Sequence, residues 1–353
     1  MSDILQKSFS NMDNNSNSSI SLNSQNSSSL NYLPNSIIQY PNIIYSLIFL
    51  LSQTSLDKYF EEKEDFISKK CKSNGNYKLD KTFSDFLNAL KNLREKDIQS
   101  YKKHIKEIIK KYLQDKKEKD SKGENDLIKI NSFIFNDLIF KLIKKIEVLQ
   151  RKEHIIHKEK FESSGEGSTM KKAIQNYKSG IKDIFKEIKN YDDLFASKII
   201  RASSKYGKTL YKIHSKSFHY FIIKQKPENI KKTTIDDYFD TKKNDKIYQF
   251  PEILIFLFEK EKDNDIDYTI KYEKKISLNY FDGEKESFDN FSLYAIIYEE
   301  KNNDIQYNIM IKNLKKEKEW KIFDGNEIKE ENLSDELCYE KKSSVLMLFY
   351  KKE

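Results

Sequence analysis

Cysteine is nearly absent: the 353 residues hold two, Cys71 and Cys338. Two thiols cannot make a disulfide framework or a four-cysteine zinc site. A reducing compartment, cytoplasm or nucleus, is therefore expected. Eight glycines and four prolines exclude collagen-like and proline-rich chains. Of the five histidines, His154 and His157 stand three apart, as on one helix face. No cysteine or acidic cluster accompanies them at a ligand spacing, so they read as a solvated face, and neither metal nor cofactor is expected. Long apolar runs are missing too. The strongest, Ile43 to Leu51, is too short to span a bilayer, and Gln39, Pro41 and Asn42 interrupt it upstream. It reads as a buried helix. The polar start of the chain lacks the pattern of a secretory signal. Nor does one charge sign dominate. Lys and Arg number 64 against 56 Asp and Glu, a net +8, and the two signs interleave instead of forming the basic patch of a nucleic-acid protein.

What is present is apolar and aromatic. Hydrophobic residues make up 37% and aromatics 13%, enough to fold, and the length suits one large or two ordinary domains. Residues 1–36 are Asn/Ser-rich and of low complexity, which predicts a disordered tail. Phe83, Phe86, Leu87, Leu90 and Leu93 recur at helical spacing, as do Ile98, Tyr101, Ile105, Ile108, Ile109 and Tyr112. A charged loop is predicted over 116–126, an amphipathic helix over 133–149, a break over 162–169 and helix again over 171–200. Strands are predicted later, at 253–258, 265–272, 303–312 and 344–350, from alternation or from branched and aromatic runs. Helices first and strands later make an α+β pattern.

Ala202 to Thr209 fits a relaxed phosphate-loop spacing, with Lys208 and Thr209 as the phosphate and magnesium residues. It lacks the preceding strand and following helix that such a loop needs, so a surface turn at Gly207 is the preferred reading. The Lys/Glu runs, such as 316–321, read as solvated faces.

The order of the C-terminal segments carries more. FPEILIFLFEK (250–260), SLYAIIYEE (292–300), IQYNIMIKN (305–313), EWKIFDG (319–325) and SSVLMLFYKK (343–352) follow one another as do the last strands of the ubiquitin-specific proteases. NIIYSLIFLLSQTSLDKYF (42–60) resembles that family's Asn-Thr-Cys-Tyr helix with the Leu-x-x-Tyr-Phe at its end. Segments 79–93, 132–146 and 233–240 are similar to later family elements, so the likeness runs with gaps from residue 37 onward. The resemblance implies a papain-like α+β fold. A helical thumb-like subdomain (37–200) would pack on a mainly antiparallel palm-like sheet (201–353), with reduced fingers. The family's Cys-x-x-Cys finger pairs are missing.

The chemistry that the resemblance implies is missing as well. It needs a thiolate, an imidazole and an orienting carboxylate. The nucleophile position falls on Ile44 or on Pro41, depending on the gap chosen. The base position falls on Gln306, and no histidine follows His219. Asp324 is retained at the family's Asp, where it also reads as a cap for the turn at Gly325. Gln39 falls near an oxyanion-donating position, and Tyr307 and Trp320 fall on the family's Tyr and Trp. Binding roles are expected for Gln39, Tyr307, Trp320 and Asp324. The expectation is an inactive domain of this kind, serving as a ubiquitin-binding or scaffold module. Its expected partners are ubiquitin, a ubiquitin-like protein or other proteins of a complex, with neither nucleic acid nor membrane. The alternatives are an active deubiquitinase using Cys71 with His104 or His219, a basic RNA-binding protein outside the family, and a nucleotide-binding protein using Lys208 and Thr209.

Overall fold

The computed structural model describes residues 41–73, 77–115, 126–150, 164–181, 184, 186–205, 207–214, 220–225, 245–260, 272–301, 305–313, 316, 319–332 and 344–353. These all belong to one compact unit, Pro34–Glu353. The expected tail, the pair His154 and His157, and almost all of the strand expected over 265–272 lie outside the described residues.

Helix α1, Pro41–Ser52, begins with proline, whose missing N–H and fixed φ suit a first turn. Its residues Ile43 to Leu51 are all buried, including Ser46, so the apolar run is a core helix as expected. Thr54 ends it and starts the next element. Its hydroxyl donates to the Leu51 carbonyl at 2.7 Å and accepts from Leu56 N at 3.3 Å, capping α2, Ser55–Glu62. Then come α3 (Glu64–Ser73), α4 (Tyr77–Arg94) and α5 (Ile98–Asp115). The two predicted apolar stripes bury the facing sides of α4 and α5. On the wet side Lys91 pairs with Glu64 and Arg94 with Glu61, pairs exposed enough to add little to stability. Helix α6 (Asp126–Ser132) runs through a π-helical stretch, Phe133–Phe140, into α7 (Lys141–Gln150), covering the helix expected over 133–149.

The break expected over 162–169 contains a strand, β1, Ser164–Gly167. Its alternation is hidden in the sequence because the inward residues are Gly165 and Gly167. A Cβ at either would run into the backbone of α8, Met170–Gly180, so only glycine lets the strand lie this close. The helix expected over 171–200 is two helices, α8 and α9 (Lys186–Phe195), followed from Lys198 by strand β2 (Lys198–Lys205). Tertiary pairing overrides local propensity there, because β2 has a strand on each side.

Strands β3 (Lys208–His214), β4 (Phe221–Gln225), β5 (Asp245–Gln249), β6 (Ile253–Lys260), β7 (Lys275–Phe281), β8 (Glu286–Lys301), β9 (Ile305–Lys312), β10 (Glu319–Phe323), β11 (Ile328–Asn332) and β12 (Ser344–Lys352) complete the chain. A four-stranded sheet has the order β1-β3-β2-β5. An eight-stranded sheet runs β11-β10-β9-β8-β12-β6-β4, with β7 paired to β8. Every pairing is antiparallel except β4 with β6. The chain is thus mixed α and β with antiparallel sheets. Leu254, Phe256, Phe258, Leu348, Tyr350, Ile296, Met310 and Trp320 belong to one buried cluster of the large sheet. The alternate residues, such as Ile309 and Phe323, serve the side met by α1, whose Phe49 ring lies 5.3 Å from that of Phe323. Tyr101 of α5 donates its hydroxyl to the Tyr45 carbonyl at 2.6 Å, and Tyr191 of α9 donates to that of Phe135 at 2.7 Å. These two buried bonds tie the helices to one another.

Candidate functional site

The residues singled out in the sequence converge on the first turn of α1 and the turn between β10 and β11. Asp324, Gly325 and Asn326 form that turn. The Asp324 Oδ1 accepts from Asn326 N at 2.8 Å and Glu327 N at 2.9 Å. This is the side-chain turn that aspartate makes before a glycine with positive φ, and Gly325 sits at φ +84. The carboxylate therefore caps its own hairpin, and Lys329 stands 3.8 Å from its other oxygen.

The α1 side is equally close. A Cβ at Gly325 would lie 3.5 Å from Asn42 Cγ, which places the second residue of α1 against the turn. Helix α5 closes the third side. Lys102 donates to Asn326 Oδ1 at 3.0 Å and lies 5.8 Å from the centre of the Tyr45 ring. Burial is the chief cause holding the Lys102 ammonium below its ordinary range. Lys106 pushes the same way, and the Asp324 charge opposes both. A backbone turn, a helix start and a half-buried cation thus meet at one point.

Pro41 is the first residue of α1, and Ile44 is wholly buried in it. Gln306 pairs with Glu300 in the β8–β9 register. Tyr307 and Trp320 are buried, and Gln39 and Cys338 lie outside the described residues. The lone tryptophan lies deeper than the core edge where a surface-reaching residue would sit. Cys71 falls within α3. His104 lies in α5, 3.6 Å from Asp85, which also pairs with Lys111. His219 lies outside the described residues. Sequence reasoning missed Lys102, which is one lysine in a run of them, and Asn326. Only the fold brings either to Asp324.

Chemically, the groups at this junction are amides, a turn-capping carboxylate and an ammonium. They hold and orient by hydrogen bonds, and none of them is the thiolate or imidazole of cysteine-protease chemistry. Among the described residues no group of three or more His, Cys, Asp or Glu is placed to hold a metal ion. No described helix is long and apolar enough to cross a membrane. The phosphate-loop spacing falls on the β2–β3 hairpin, where Lys205 pairs with Lys208 around Gly207 at φ +71. No helix follows it, and the surface-turn reading stands.

No family model matches the chain, and no curated protein matches it. Solved structures do. One is the DUB module of SAGA containing Ubp8, Sgf11, Sus1 and Sgf73, at a TM-score of 0.55 and 13% identity, over 100% of this chain and 74% of that one. Another is the crystal structure of an essential yeast splicing factor, at a TM-score of 0.33 and 17% identity, over 50% of this chain and 46% of that one. The second likeness is too slight to argue from, and this chain spans less than half of that protein. The first shows a likeness of fold.

Proposed function

We propose that this chain is a catalytically inactive domain of the ubiquitin-specific-protease kind, acting as a binding or scaffold module within a protein complex. The observation that carries the reading is the full-length likeness in fold to the SAGA DUB module, set beside a sequence with Ile44 or Pro41 for the thiol and Gln306 for the imidazole. Neither an alkyl side chain nor an amide attacks a carbonyl or takes up a proton at neutral pH. What survives at the junction is architecture. Asp324 holds its turn, and Asn42, Lys102 and Asn326 hold the turn to α1 and α5.

Ubiquitin or a ubiquitin-like protein is the first partner to test, because the fold likeness is to a DUB module. Labelled ubiquitin titrated with the full chain and followed by NMR, beside a fluorogenic ubiquitin-cleavage assay, is the test. Binding without cleavage is the expected result. Cleavage would overturn the inactive reading and turn attention to Cys71. Absence of both would remove ubiquitin as the partner. Ile44→Cys is expected to stay inactive in the same assay, since position 306 supplies no base and position 44 is sealed in the core.

A further inference from the structure

Asn308 is a polar side chain in the strand Ile305–Lys312, otherwise rich in isoleucine and aromatic residues, and it is only 3% exposed. Its Nδ2 donates to Glu300 Oε2 at 2.8 Å. Its Oδ1 is buried and has no hydrogen-bond partner among the described residues. A buried amide oxygen left so is rare in folded proteins and asks for an explanation.

The surroundings say what is missing. Tyr298 stands opposite Asn308 in the β8–β9 register. Its hydroxyl pKa is pushed up to about 12, first by burial, while a hydrogen bond from Asn308 opposes the rise and the charges of Glu300, Glu331 and Asp324 add to it. Three carboxylates from β8, β11 and the β10–β11 turn therefore bear on one spot. The β9–β10 register, which pairs Ile309 with Phe323, brings Asp324 alongside Asn308. The nearby cations have other engagements. Lys312 lies 5.7 Å from the centre of the Trp320 ring, and Lys329 pairs with Glu327 at 2.5 Å and stands 3.8 Å from Asp324. The place is rich in acceptors and short of a donor. No group of acidic residues here is arranged to hold a metal ion.

We propose that Asn308, Glu300 and Tyr298 form a recognition site for a basic side chain, lysine or arginine, of a protein partner. The ammonium or guanidinium donates to Asn308 Oδ1 and to the free lone pairs of Glu300, with the Glu331 and Asp324 charges drawing it in. The site lies in β8 and β9, apart from the junction of α1 with the β10–β11 turn. The proposal rests on the reading of the chain as a binding module and names the chemistry of its partner.

The test uses the full chain labelled with ¹⁵N-asparagine, the Asn308 side-chain signals being assigned by their loss in Asn308→Ser. N-acetyl-lysine methylamide is titrated at constant ionic strength, with the uncharged norleucine analogue as control. The Asn308 signals are expected to move and saturate with a midpoint on the order of millimolar, the strength of a single isolated contact. Glu300→Gln is expected to weaken the midpoint at least about tenfold, with the remaining asparagine signals unchanged. Glu331→Gln, outside the direct contact, is expected to weaken it less. Signals that stay still, that move equally with the norleucine analogue, or that respond unchanged in Glu300→Gln would overturn the proposal and leave the Asn308 oxygen to solvent. The ubiquitin titration is read on ubiquitin's own signals, so the two readings fail separately.

Discussion

Asn42 and Gly325 touch across the joint between α1 and the large sheet: any side chain at 325 would meet the Asn42 amide at van der Waals distance. The contact is ordinary in length, so the demand for glycine at 325 comes from the positive φ and not from crowding. Gly325→Ala is expected to cost about 1 kcal/mol in urea unfolding. Asp324→Ala removes the acceptor for two backbone N–H groups and costs about 1 kcal/mol as well. Asp324→Asn keeps the Oδ1 and is expected to unfold within about 0.5 kcal/mol of the parent. A large loss in the Asn variant would show that the negative charge does more than cap the turn.

Two other glycines sit at the opposite extremes of crowding. At Gly165 an added Cβ would meet the Ala173 carbonyl oxygen and lie 2.5 Å from Tyr177 N. Backbone must move to admit it, and Gly165→Ala is expected to destabilise by about 3 kcal/mol. At Gly207 an added Cβ has nothing within 4 Å, and only the φ of +71 is strained. Gly207→Ala is expected to cost about 1 kcal/mol. Equal unfolding midpoints for the two variants would refute the close packing of β1 on α8.

Trp320 is 1% exposed, and its indole N–H has no acceptor among the described residues. Trp320→Ala should cost about 3–5 kcal/mol. Trp320→Phe should cost less, because it also removes the unpaired N–H. Intrinsic fluorescence offers a second check, since the single tryptophan should shift to the red only when the chain unfolds.

Alkaline pH should unfold the protein through its tyrosines. Burial pushes Tyr45, Tyr294 and Tyr298 each up to about 12. A tyrosine whose folded pKa lies above its ordinary value near 10 contributes stability that is whole below pH ~10. Above that, the unfolded chain ionises first, and the contribution falls as pH rises toward 12. The urea midpoint should therefore hold steady through neutral pH and drop steeply beyond pH ~10. Absorbance of ionised tyrosine should rise for this group together with unfolding. Early ionisation of all tyrosines in the folded protein would contradict their burial.

Much of this molecule is legible in the residue pattern because burial follows period. The apolar stripes of α4 and α5, the run of α1 and the branched runs of β6, β9 and β12 each read correctly, since one face or a whole element goes into the core. The turn at Gly207 and the capping role of Asp324 are legible too, because glycine and aspartate act within three residues of themselves. What a helix period cannot show is β1, whose inward side chains are hydrogen atoms, or the start of β2, whose pairing strands lie ahead in the chain.

The sequence by itself determined what chemistry is missing. Composition alone denies the chain a thiol at 41 or 44 and an imidazole beyond residue 219, whatever the fold. Only the tertiary structure decided which groups meet. Lys102 reaches Asn326 across 224 positions, and Asn308 is buried with one oxygen unpaired beside carboxylates from other strands. Such contacts depend on packing between elements far apart in the chain, and neither spacing nor local propensity encodes that distance.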